Sequence, residues 1–181
     1  MGFAISSDAR LNAIVEWQLG RRPGIPFRVQ VNCCFGYPAV LLNQTSDAGG
    51  NPNPNLYYLC CPYLRRGLAR LEGAGLAQRL TRQVKAEPEV ARALAEAQHN
   101  FQAEWTRQAA SDRRKNPGPA PRISAAASDM SIKCLHAHFA YFLVHPGYLL
   151  GKIILAELPD EWCPDERCQV SLEQNSIAAN G

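Results

Sequence analysis

The sequence has no apolar run of about 18 residues, the length that a membrane-crossing helix needs. Its first residues, Met1-Gly2-Phe3-Ala4-Ile5-Ser6-Ser7-Asp8, lack the basic start and long apolar stretch of an export signal. These two absences predict a cytoplasmic chain with no membrane partner. Charge of one sign is scarce: 19 basic against 16 acidic residues leave a formal net charge of +3. The basic clusters Arg21-Arg22, Arg65-Arg66 and Arg113-Arg114-Lys115 are short, separate and free of interleaved aromatics, which argues against a nucleic-acid partner. Also missing are the Gly-x-x-x-x-Gly-Lys phosphate loop, the Gly-x-Gly-x-x-Gly turn, the Gly-x-Ser-x-Gly elbow and the His-Glu-x-x-His helix. Nucleotide-dependent, serine-hydrolase and zinc-protease chemistries lose their usual support with them. No Cys-x-x-Cys pair occurs, so the tight knuckle of a zinc ribbon is absent too. Nothing in the pattern names a protein partner or a small-molecule substrate.

What is present is an ordinary globular composition, 46% apolar and 19% charged over 181 residues, enough for one packed core and too little for two domains. Asp8 or Ser7 can cap a helix carrying Leu11, Ile14, Val15, Gln18 and Leu19, stopped by Gly20. Phe27-Arg28-Val29-Gln30-Val31 alternates as a half-buried strand does; Ala39 to Leu42 and Leu56 to Cys60 read as two more strands, separated by an exposed loop rich in Gly, Asn and Pro. From Pro62 onward the period becomes helical: one helix ends at Gly73 or Gly75, a second carries Leu76, Leu80 and Val84, and a longer one runs from Pro88 to about Ala110. Asp129 is placed to cap a last major helix from Met130 to His145, with a short helix after Leu149. The predicted fold is α+β, a small three-stranded antiparallel sheet covered on one side by several helices. One domain is expected over residues 1–168, with a mobile loop near 111–128 and a frayed tail at 169–181.

Seven cysteines are many for a reducing compartment, and an odd number cannot all pair within one molecule. Cys33 follows the first strand and Cys61 the third, and in an antiparallel meander those strand ends share one edge. Cys134 falls in the opening turns of the predicted last helix, where the dipole favours a thiolate. On that helix His138 shares a face with Cys134, whereas His136 points about 200° away. Cys163 lies beyond the final helix. Cys34, Cys60 and Cys168 read as small apolar packing residues. The three tryptophans read as core or rim anchors.

Four stretches in this order carry a resemblance: Ile14-Val15-Glu16-Trp17-Gln18-Leu19-Gly20-Arg21, Cys33-Cys34-Phe35-Gly36-Tyr37-Pro38, Leu56-Tyr57-Tyr58-Leu59-Cys60-Cys61-Pro62 and Lys133-Cys134-Leu135-His136-Ala137-His138. They resemble the uncharacterised bacterial family catalogued as domain of unknown function 501, over roughly Ile14 to Cys163. The resemblance implies that Cys33, Cys61, Cys134 and His136 fall on the family's pattern, with His138 and Cys163 beside them, and that Cys34 and Cys60 do not. Two departures stand out: Ile123 to Ser128 replaces a glycine-rich approach, and Tyr141 stands where a further histidine is expected.

The reading that follows is a metal or iron–sulfur site built on Cys33, Cys61 and Cys134, completed by Cys163 or His138, with His136 as a further candidate ligand. Cys163 as the fourth ligand would favour an iron–sulfur cluster, and His138 would favour zinc. Two alternatives stay open: a metal-free interaction or regulatory module with structural cysteines, and a cysteine-nucleophile enzyme using Cys134.

Overall fold

Asp8 starts the first helix by accepting the amides of Arg10 and Leu11 on its carboxylate. Helix α1 (Ala9–Leu19) then runs to Gly20, whose φ of 69° lets the backbone turn left-handed. The computed structural model describes residues 8–47, 49, 51–112, 119–126, 128 and 130–169. The expected caps Ser7 and Asp129, residues 113–118 and 127 of the expected loop, and the tail from 170 lie outside the described residues.

Strands β1 (Phe27–Asn32), β2 (Pro38–Asn43) and β3 (Tyr57–Leu59) pair antiparallel in the order β1-β2-β3. Val29 lies opposite Leu41, Val31 opposite Val40 and Leu41 opposite Tyr58. The edge strand β1 keeps its polar residues outward, whereas every residue of β2 is buried. Burial along both faces of β2 means that the sheet is covered on both sides rather than on one. Val15 of α1 packs with Phe27, Leu41 and Cys60 on the first face, and the remaining helices fill the second. The unbroken apolar run Ala39-Val40-Leu41-Leu42 is what such a central strand requires.

Those helices are α2 (Pro62–Gly73), α3 (Leu76–Ala86), α4 (Pro88–Ser111), α5 (Leu135–Val144) and α6 (Leu149–Ala156). Pro62 and Pro88 each occupy the first turn, where a missing amide costs nothing. Leu64, Leu68, Leu80, Leu94, Trp105, Leu135, Phe139 and Ile154 pack with Val40 and Leu42 into the main core. The architecture is α+β, as the patterning predicts. The segment between β2 and β3 is less exposed than its composition suggests. Asn53 within it is buried, and its carbonyl accepts the Trp105 indole N–H at 3.0 Å.

Helix α5 starts five residues later than the expected Met130. Ile132 is buried and its amide donates to Thr81 Oγ1 of α3 at 3.0 Å, a tertiary contact in place of a helical one. Helices α5 and α6 meet at 113°. Their close crossing requires Gly151, since a Cβ there would overlap Cβ and Cγ of Phe142. Among the described residues no single helix is long and apolar enough to cross a membrane.

Candidate functional site

The late start of α5 changes what its first residues can do. Cys134 is the residue before the helix, with extended backbone at φ −146° and ψ 118°, so the 100° step of a helix does not relate it to His136 or His138. The free amide of Leu135, first in the helix, donates to Glu72 Oε1 at 2.6 Å. Glu72 belongs to the last turn of α2, and the same oxygen lies 3.2 Å from His136 Nδ1. On the other side of the ring, Nε2 sits 3.0 Å from the Arg65 carbonyl. A carbonyl can only accept, so Nε2 carries a proton and Nδ1 faces the other two groups.

Cys134 Sγ completes the arrangement, 3.8 Å from Nδ1. The sulfur, the imidazole nitrogen and the carboxylate oxygen all lie within 4.8 Å of one another, and among the described residues this is the one such group able to hold a metal ion. His136 is held as a cation, its pKa raised to about 9 by the Cys134 sulfur first, then by the Arg65 carbonyl and the Glu72 carboxylate, against the opposing effect of burial. A cleft of about 240 Å³ opens beside it, walled by Asn55, Tyr57, Tyr58, Arg65 and Ala137.

His138 goes elsewhere. It is fully buried, with Nδ1 2.8 Å from the Tyr148 hydroxyl and the two rings stacked at 6.0 Å. Its Nε2 has no partner among the described residues. Burial lowers its pKa to about 4, so it stays neutral inside the core. His145, farther along, contacts Glu104, whose carboxylate also accepts the Tyr57 hydroxyl at 3.0 Å.

The other candidate ligands gather at the opposite end of α2. Cys33 opens the β1–β2 turn, donating its amide to Tyr37 at 2.8 Å and accepting that of Gly36 at 2.9 Å. Cys60 and Cys61 both donate to the Ala39 carbonyl at the start of β2, and Cys61 then precedes α2. Cys163 and Cys168 are buried in the segment after α6. Cys168 feels the charges of both Cys33 and Cys163, and Cys61 those of Cys168 and Cys163. The Cys61 thiol is pushed up to about 11, chiefly by burial, while the first-turn amides at Leu64 and Tyr63 offset part of the rise. The structure therefore sets Cys61 at the start of α2 apart from Cys134, which lies with Glu72 and His136 about 16 Å along that helix.

Glu72 is the residue that sequence reasoning missed. A signal for it exists: a carboxylate in the last turn of a helix faces the negative end of the dipole. Its partners are the positive N-terminus of α5 and an imidazolium. Compared with known proteins, the chain matches the family model described as "Protein of unknown function (DUF501)" over residues 29–156. No curated protein and no solved structure matches it. The matched span takes in Glu72, Cys134 and His136 and ends before Cys163.

Proposed function

We infer that this chain, which belongs to the DUF501 family, is a metal-binding protein that holds a borderline divalent cation, zinc first, on Glu72, Cys134 and His136. One observation carries the reading. The Arg65 carbonyl consumes the Nε2 proton of His136 and so aims Nδ1 at the point where a sulfur and a carboxylate also converge. A ligating histidine is held in this way by an acceptor on its far nitrogen. Sulfur, nitrogen and oxygen donors together suit zinc. An iron–sulfur cluster draws little support from this group, which offers a single thiolate.

Three protein ligands leave a fourth position for water or substrate, the arrangement of catalytic rather than structural zinc. The cleft beside Cys134 and His136 gives that position access from outside. A cation bound there would supply Lewis-acid chemistry, acidifying a water or polarising an oxygen. The protein's own part is to release the Nδ1 and Cys134 thiol protons, keep Nε2–H on the Arg65 carbonyl, and exchange the Glu72 hydrogen bond for a metal bond.

A second reading has its own observation, the 3.8 Å approach of Cys134 Sγ to Nδ1, which suits a cysteine nucleophile beside an imidazole. Glu72 competes for the same nitrogen, which favours the metal. Zinc titration of the full chain by calorimetry, with metal content by mass spectrometry, tests the choice. His136→Ala, Cys134→Ser and Glu72→Gln should each lose one equivalent; Glu72→Gln keeps an acceptor for the Leu135 amide and so spares the helix cap. Unchanged zinc content in all three would overturn the reading. Fast iodoacetamide labelling of Cys134 that added zinc does not slow would favour the nucleophile.

A further inference from the structure

Helix α2 also borders a wider cleft. Along it Tyr63, Gly67 and Leu71 stand four residues apart and so form one ridge, with Arg66 and Arg70 on the ridge beside it. Gly67 leaves a gap in its ridge, and Leu158, buried in the segment after α6, approaches that gap. A Cβ at Gly67 would lie 2.9 Å from Leu158 Cδ2. A helix interior disfavours glycine, and this close approach is what calls for it. Between α2 and residues 157–159 lies a cleft of about 440 Å³, nearly twice the size of the one beside His136 and sharing no wall residue with it. That volume falls in the range of small-molecule sites.

The charges around the cleft are unevenly paired. Glu157, the one carboxylate among its described wall residues, is taken by Arg79 at 2.7 Å. Arg167 closes one side with its guanidinium 5.1 Å from the centre of the Tyr63 ring, and gives two N–H groups to Asp165 at 3.0 Å. Tyr63 in turn donates its hydroxyl to Asp160 at 3.5 Å. Arg66 and Arg70 are left over. Both are exposed, and among the described residues neither side chain has a hydrogen bond or an ion pair.

We propose that this cleft binds a small organic phosphate, with its oxyanion head on Arg66 and Arg70 and its apolar body against Tyr63, Leu71 and Leu158. Guanidinium forks match phosphate oxygens in pairs. Two cations without a counter-charge favour a doubly charged head over a single carboxylate. Leu71, Leu158 and the Tyr63 ring offer a surface that only a ligand with an apolar part can use. Arg167 over that ring holds the aromatic wall in place. The proposal stands whether or not the group around His136 holds a metal.

Calorimetry with phenylphosphonate, which cannot be hydrolysed, tests it on the full-length chain freed of metal by a chelator. One equivalent should bind, about tenfold more tightly than inorganic phosphate, because the phenyl compound alone buries a ring. Benzoate, with one charge, should also bind more weakly. Arg66→Gln and Arg70→Gln should each weaken phenylphosphonate roughly tenfold; both side chains are exposed and unpaired, so the fold is spared. Arg82→Gln, which removes the same charge from an exposed site on α3 outside the cleft, should leave affinity unchanged. Amide signals of Gly67, Leu71 and Leu158 should shift in nuclear magnetic resonance spectra as the ligand is added. No binding of phenylphosphonate would overturn the proposal. So would equal affinity for inorganic phosphate or benzoate, binding indifferent to both Arg66→Gln and Arg70→Gln, or shifts confined to the surroundings of His136.

Discussion

The outer first turn of α5 and the inner face of the same helix carry the same side chain two residues apart. On the outer turn His136 is partly exposed and meets a carbonyl, a carboxylate and a sulfur, which hold it as a cation with a pKa near 9. On the inner face His138 meets one hydroxyl and the core, and burial holds it neutral with a pKa near 4. Both start from 6.5, and the difference lies in the complete burial of His138 and in the acceptors around His136. Acceptors at the outer turn favour the charged ring, and desolvation in the core favours the neutral one.

The strongest way to break this contrast is steric. Gly151→Val should force α6 away from Phe142 on the inner face and cost about 3 kcal/mol or more, read by chemical denaturation. Zinc affinity of the chain that stays folded should change little.

Acid comes next. His138 binds its proton less readily folded than unfolded, so stability should fall as pH drops from 6.5 toward about 4, by up to roughly 3 kcal/mol. His136 has the opposite sign: its contribution is complete below 6.5 and is lost as pH rises through about 9. Melting curves across that range should show a maximum near 6.5 from these two groups. His138→Phe should flatten the acid side and His136→Gln the alkaline side; a profile unaltered by either would dissolve the contrast.

For the outer turn alone, His136→Ala should lose one equivalent of zinc by calorimetry. In the unaltered chain zinc must displace the Nδ1 proton. The imidazole proton contributes about tenfold in affinity per pH unit until about 9, and the Cys134 thiol proton, displaced with it, steepens the rise. The smallest change, Tyr148→Phe, removes one hydrogen bond from the inner face and should cost about 1 kcal/mol in a urea melt.

Much of the fold is legible in the sequence because local pattern and tertiary context agree there. The alternation from Phe27 to Val31 and the prolines at 62 and 88 mark β1, α2 and α4 where they occur. The start of α5 is not legible, because the Ile132 amide bonds to Thr81 of α3 instead of joining a helix. That shift carried the site with it: helical spacing pairs Cys134 with His138, whereas the extended Cys134 pairs with His136. Glu72 lies far away in sequence, and only the packing of α2 on α5 reveals it.

Arg65 is fastened at both of its ends. Its backbone carbonyl holds the ring of His136, and its guanidinium donates to the Gln18 carbonyl at 2.9 Å. One residue of α2 thus holds both the imidazole and the backbone of the glutamine whose side chain meets Cys168. The same residue ties the start of α5 to the last turn of α1.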